Sequence, residues 1–263
     1  MKIRKSVEVV CCLIWAGWLS AQEIGLPLPP TAGQDTVFRR LENHAFGRGE
    51  HLVFEIAYGF VKAGTSTMSV ADTQRVQGRL CYHIVTTAES NSFFSAFFTV
   101  RDRVESWMDV DGLFSWKFEK HLREGKFRSD RYEVYDQINR RVFAKSDTFD
   151  APPYVQDILS SFYYARTQPL DGGQPFFDID NFADGRVYPL RVVVHRRDRV
   201  KVPAGTFNCI VVEPVLRHEG LFKQTGKLTI WVTDDGRKMP VLMKSKVIIG
   251  SIDARLKKYS FGD

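Results

Sequence analysis

The chain has 263 residues, 44% hydrophobic and 26% charged, with 37 Lys and Arg against 31 Asp and Glu and a formal net charge of +6. That composition supports a folded core and excludes a low-complexity or collagen-like chain. Basic and acidic residues interleave along its whole length. Nucleic-acid binders instead concentrate Lys and Arg on one stripe, so no nucleic-acid partner is expected.

Lys2, Arg4 and Lys5 precede the apolar run Val9–Leu19, which ends in Ser20-Ala21 before Gln22-Glu23. A positive start, a short apolar stretch and a small residue at the break describe a secretory signal peptide. The run is bounded by Glu8 and Gln22, shorter than the roughly 20 residues a spanning helix needs. Residues 1–21 are therefore expected to be cleaved, leaving a chain that is not an integral membrane protein. Cys11 and Cys12 lie inside the apolar run, not after the small residues, so no lipid anchor is expected. Removing three basic residues and one acidic residue leaves a net charge of +4. The expected destination is the periplasm, with secretion or outer-membrane association as alternatives.

Residues 22–46 contain Leu26-Pro-Leu-Pro-Pro30-Thr-Ala-Gly33 and read as a flexible Pro-rich lead-in, ordered only near its end. From residue 47 to 263 a single antiparallel β domain is predicted. Period-two alternation, the mark of half-buried strands, covers 52–58, 65–71, 81–88 and 98–108. Asp109–Gly112 turns the chain into a strand over 114–122 in which Phe114, Trp116, Phe118 and Leu122 share one face. Gly125 breaks the ribbon before 127–135, and 140–144 adds a short strand. Val155, Ile158, Leu159, Phe162 and Tyr163 then recur at helical spacing, with Gln156, Asp157, Ser160 and Ser161 on the opposite side. Asp157 falls in the first turn, where negative charge suits the helix dipole.

Strands resume over 188–202, with Pro189 arguing for a sheet edge, and over 207–215, 227–233, 240–249 and 252–256. Val202-Pro-Ala-Gly205 and Asp234-Asp-Gly236 are hairpin turns. Consecutive hairpins without crossover helices mean antiparallel pairing. The expected architecture is mainly β: a curved antiparallel sheet or open half-barrel covered by one amphipathic helix.

No nucleophile elbow, phosphate loop, dinucleotide fingerprint or metal spacing is present, so no enzyme, cofactor or metal site is expected. The six histidines (His44, His51, His83, His121, His195 and His218) are scattered singly. Asp102 reads as a buried carboxylate paired with a neighbouring Arg. Cys81 and Cys209 remain after cleavage; in an exported chain a disulfide between them is allowed, and two buried free thiols are the alternative.

Four rings fall within six residues at Phe93, Phe94, Phe97 and Phe98. They form ordinary core, or they line a cavity or a membrane-facing lip. As one wall of an apolar pocket they would face Trp116, Phe118, Phe162 and Tyr163 across the concave space between sheet and helix.

Several segments, in order, resemble one family. They are Gly49–Gly59 with Ala63-Gly64, Val100–Ser106, Glu124–Arg128, Pro152–Ser160 with Tyr163-Tyr164, Val202–Phe207, Trp231–Asp235 and Pro240-Val241. The set is similar to the exported "domain of unknown function 3108" family and spans Gly49 to Tyr259. The resemblance implies an envelope protein with an open half-barrel, similar in shape to the carriers of outer-membrane lipoproteins, which hold acyl chains between sheet and helix. It implies no catalytic residues. The expected function is non-catalytic binding or carriage of an apolar or amphipathic ligand, such as a lipid or lipoprotein acyl chain. The alternative is a structural or protein-interaction module with an envelope protein partner.

Overall fold

A computed structural model describes residues 37–170, 174–216, 227–246 and 251–262. The expected signal peptide, most of the Pro-rich lead-in and His218 lie outside them. The elements are β1 (His51–Tyr58), β2 (Val61–Val76), β3 (Arg79–Ser90), α1 (Ser92–Ser95), β4 (Arg101–Asp109), β5 (Ser115–Glu124), β6 (Phe127–Asp136), β7 (Arg141–Ala144) and β8 (Asp147–Asp150). After them come α2 (Ile158–Thr167), β9 (Phe176–Ala183), β10 (Arg186–Val202), β11 (Gly205–Leu216), β12 (Leu228–Thr233), β13 (Pro240–Lys246) and β14 (Ser251–Ser260).

All strands join one antiparallel sheet in the order β8-β7-β6-β5-β4-β3-β2-β1-β14-β13-β12-β11-β10-β9. Two hairpin meanders, β1–β8 and β9–β14, are thus zipped together by the pairing of the first strand with the last, His51 opposite Ser260. The mainly-β architecture read from the sequence holds, as an open sheet with one substantial helix.

The sheet curls until its two edges approach. Phe149 of β8 packs on Phe182 of β9 at 5.4 Å between ring centroids, and Arg131 of β6 pairs with Asp184 after β9. No ladder joins β8 to β9. The open edge of β9 is instead capped by Gln156, whose N–H donates to Asp180 (2.9 Å) and whose carbonyl accepts from Phe182 (2.8 Å). Asp147 and Asp150 place charge on the short strand β8, a common defence of a free edge.

The main core fills the curl with Leu52, Phe54, Ile84, Met108, Phe118, Tyr135, Tyr163, Val241 and Leu256. A separate cluster gathers Cys81, Trp107, Phe114 and Trp116 beneath Phe38. The described end of the lead-in is therefore packed: Phe38 meets Phe114 and Trp116 at 5.3 and 5.6 Å.

Several expectations are corrected. Trp116 does not share a face with Phe118. A register shift between Trp107 and Met108 in the β4–β5 ladder changes which side chains alternate inward, as an inserted residue must. Pro189 is not at a sheet edge, because β9, unexpected from the sequence, pairs outside it. The β10–β11 ladder begins only at Leu190, so Pro189 removes no described bond from that side. Asp102 is buried, but its partner is the backbone N–H of Arg123 (2.8 Å), not a guanidinium.

Cys81 and Cys209 are both free and buried. Five strands separate β3 from β11 in the sheet order, whereas a disulfide needs Cα atoms within about 7 Å.

Candidate functional site: an apolar groove beside the helix

Helix α2 begins at Asp157, which caps it from outside rather than sitting in its first turn. Its carboxylate accepts the N–H groups of Leu159 and Ser160, both at 2.8 Å, satisfying donors that every helix start leaves open. The other carboxylate oxygen accepts Ser106 Oγ at 2.6 Å and Ser115 Oγ. Burial raises the Asp157 carboxyl above its ordinary value, and these hydrogen bonds oppose that rise. Asn181 Nδ2 donates to Ser161 Oγ at 2.8 Å, and Gln156 Nε2 to the Leu113 carbonyl at 2.6 Å.

Ser160 and Ser161 are fully buried, although the sequence places them on the helix's polar side. The helix lies within the curl of the sheet, so both of its sides meet protein. Its outer side is satisfied by hydrogen bonds instead of water.

The far end of α2 is pinned by Arg166. Its guanidinium donates to both Glu50 carboxylate oxygens at 2.7 and 2.8 Å, and to the carbonyls of Ala45 (3.0 Å) and Arg237 (3.2 Å). With both ends tied, α2 is a fixed wall.

That wall and β10–β13 border a groove with a cavity volume of about 100 Å³, partly open to solvent. Ile158, Phe162, Ala165 and Leu170 face Leu190, Val192, Val212, Pro214, Leu228, Ile230, Val232 and Met243 across it. Among the described residues only Ser161 and Arg166 add polar atoms to the lining, and both are engaged, with Asn181 and Glu50 respectively. Among the described residues the groove therefore offers an apolar ligand contact and offers a charged headgroup no free counter-ion. At that volume it is smaller than the ~300–1,000 Å³ of drug-sized ligand sites, so it would embrace a slender apolar group and leave the rest of a larger ligand outside.

The eight residues expected to line a pocket are not gathered here. The concave space between sheet and helix exists, but only Phe162 of the eight lines it. Tyr163 and Phe118 belong to the main core, Trp116 to the separate cluster. Phe93 and Phe97 are 65% and 80% exposed on α1 and the residues that follow it, with Phe94 and Phe98 half-buried beneath them. The residues that do form the groove come from β10–β13 and meet only through long-range pairing. Their alternation marked them as strand residues without distinguishing groove from core.

On the outer surface, Glu105, Glu119 and His121 bring their ligand atoms within 4.8 Å of one another. Each is committed elsewhere: Glu105 to Arg103 and His83, Glu119 to Lys117, and His121 to Asp130. Among the described residues, no helix is long and apolar enough to cross a membrane.

Fold and groove together define an open, curled antiparallel sheet wrapped on helix α2. The chain belongs to the family described as protein of unknown function DUF3108, which matches residues 53–257. Among solved structures it is similar to a β-barrel-like protein of domain of unknown function DUF1849 from Brucella abortus. The TM-score there is 0.56 at 11% identity, over 81% of this chain and 98% of that one; the likeness is one of fold. A candidate lipoprotein from Parabacteroides distasonis aligns at a TM-score of 0.30 and 9% identity, over 85% of this chain and 97% of that one. A candidate exported protein with a YmcC-like fold from Bacteroides fragilis aligns at 0.31 and 12%, over 85% and 100%. No curated protein matches the chain.

Proposed function

We propose that this protein is a non-catalytic binding or carrier protein of the cell envelope, holding an apolar or amphipathic ligand in the α2 groove. The observation that carries this reading is the composition of the groove: twelve of its fourteen lining residues are apolar, and both polar ones are already hydrogen-bonded. Apolar area exposed to water is unfavourable by roughly 25 cal/mol per Å², which favours an apolar partner for this lining. The apolar lining suits part of a lipid or lipoprotein acyl chain. Residues 2–21 support export, with the periplasm as the expected compartment.

The test is native mass spectrometry of protein purified from an envelope fraction without detergent, followed by solvent extraction. A reproducible extra mass that extracts as lipid supports the carrier, and Ala165→Trp, which fills the groove, should remove it. A clean apo mass with no saturable uptake of an apolar dye would favour the alternative, a protein-interaction module.

A further inference from the structure

The antiparallel ladders bring the C-terminal end of β1, the start of β2, the end of β3, the start of β4, the end of β5 and the start of β6 to one rim of the sheet. Three neighbouring connections on that rim carry exposed rings. Phe60 is fully exposed at the β1–β2 turn, Phe93 and Phe97 project from the β3–β4 connection, and Phe127 is 39% exposed at the β5–β6 turn. A soluble protein normally buries such rings, and an exposed set marks an interaction surface.

These rings are held outward by a built scaffold. Asn91 accepts the N–H of Phe94 (2.9 Å) and donates to the Lys62 carbonyl (2.6 Å), tying α1 to the β1–β2 turn. Ser90 Oγ contacts Ser95 Oγ at 2.7 Å and accepts the N–H of Val100 at 2.9 Å. The Gly125 N–H donates to the Thr99 carbonyl at 2.7 Å, tying the β5–β6 turn to the same connection. Within that frame Phe93 and Phe97 lie one helical turn apart, 5.8 Å between centroids, facing solvent.

The exposed charge among the described residues around these rings is mainly positive. Lys126 and Arg128 flank Phe127 and are exposed, as are Arg101 and Lys62. Among the described residues at these strand ends the acids are Glu55, which pairs with Lys62 at 2.6 Å, Glu89, which lies opposite Arg101, and Asp102 and Glu124, which are buried.

We infer that this rim docks the protein on an anionic lipid bilayer, the rings entering the headgroup–acyl boundary and the cations meeting lipid phosphates. Rings on three separate turn tips with Lys and Arg between them suit a soft, laterally continuous partner. Interfacial binding combines just these two contributions, buried apolar area and attraction of basic residues to anionic lipid. The inference does not depend on the groove being occupied. The strands that line the groove do run to the same rim, at the start of β10, the end of β11 and the start of β12.

Co-flotation of the purified protein with vesicles tests it. The protein should float with phosphatidylethanolamine–phosphatidylglycerol vesicles, float poorly with phosphatidylcholine alone, and lose binding as salt rises. The triple variant Phe60→Ser, Phe93→Ser, Phe97→Ser should reduce the partition coefficient by about tenfold or more with an unchanged melting temperature. Lys126→Glu with Arg128→Glu should abolish the preference for phosphatidylglycerol. No flotation of the unaltered protein, or flotation of the triple variant at its level, overturns the proposal. So does a triple variant that floats normally but loses capture of a protein, which assigns the rim to a protein partner.

Discussion

Arg166 and Glu50 form a two-pronged ion pair with each side chain only 1% exposed, linking α2 to the residue just before β1. A buried pair adds little net stability, but stripping it of one partner strands the other charge. Arg166→Met should therefore cost about 3–5 kcal/mol in urea unfolding. Adding Glu50→Leu should restore only part of that, because the carbonyls of Ala45 and Arg237 also lose their donor. Full restoration by the double variant would show that those two bonds contribute nothing.

Glu133 is buried, and burial pushes its carboxyl up to about 7 although Tyr135 Oη donates to it at 2.7 Å. The folded protein thus holds this proton at pH values where the unfolded chain, near 4.5, has released it. Stability falls as pH rises from about 4.5 to about 7 and stays reduced above that window. Glu133→Gln removes this dependence while its amide oxygen can still accept from Tyr135. Relative to the unaltered protein it should gain roughly 1–3 kcal/mol between about pH 4 and about pH 8. Parallel stability profiles across that range would refute the assignment.

Burial raises the Cys81 thiol and pushes that of Cys209 up to about 12. Because the thiolate is the reactive form, iodoacetamide at neutral pH should leave both unmodified in the native state and label both in denaturant. Mass spectrometry after each treatment decides the matter, and native labelling of either thiol would contradict its burial.

Gly64 packs so closely on the Glu89 carbonyl of β3 that a Cβ would collide with it. Gly64→Ala must push β2 from β3 where the two strands begin to pair and should cost about 2–4 kcal/mol. Gly47→Ala, with nothing within 4 Å of the added carbon, is the matched control and should be near neutral. Urea midpoints compare the two.

Much of the fold was legible because antiparallel strands with one buried face announce themselves by alternation. The Val202–Gly205 turn is a clear case, since Pro and Gly stand where a hairpin uses them. Strand β9 was not legible: Asp178 and Asp180 break its apolar run, and its partner β10 supplies the reason it pairs. Trp116 was misplaced because a local register shift leaves no mark in composition. Ser160 and Ser161 read as a solvent face because periodicity reports polarity, and only the envelopment of α2 shows that their partners are protein. For the groove, sequence located the concavity beside α2 but not its far wall, which depends on pairings between strands distant from the helix.

The pairing of β1 with β14 has a consequence for how the molecule comes into being. His51 meets Ser260 across almost the whole length of the domain, so no shorter stretch of chain contains the complete sheet. Each meander can zip by local hairpins, but their union closes a very long loop, and such distant contacts slow folding. A chain synthesised N-terminus first would hold the outer edge of β1 unpaired until its last strand arrived. Until that closure the β1 edge presents unpaired backbone groups, a template on which another chain can pair.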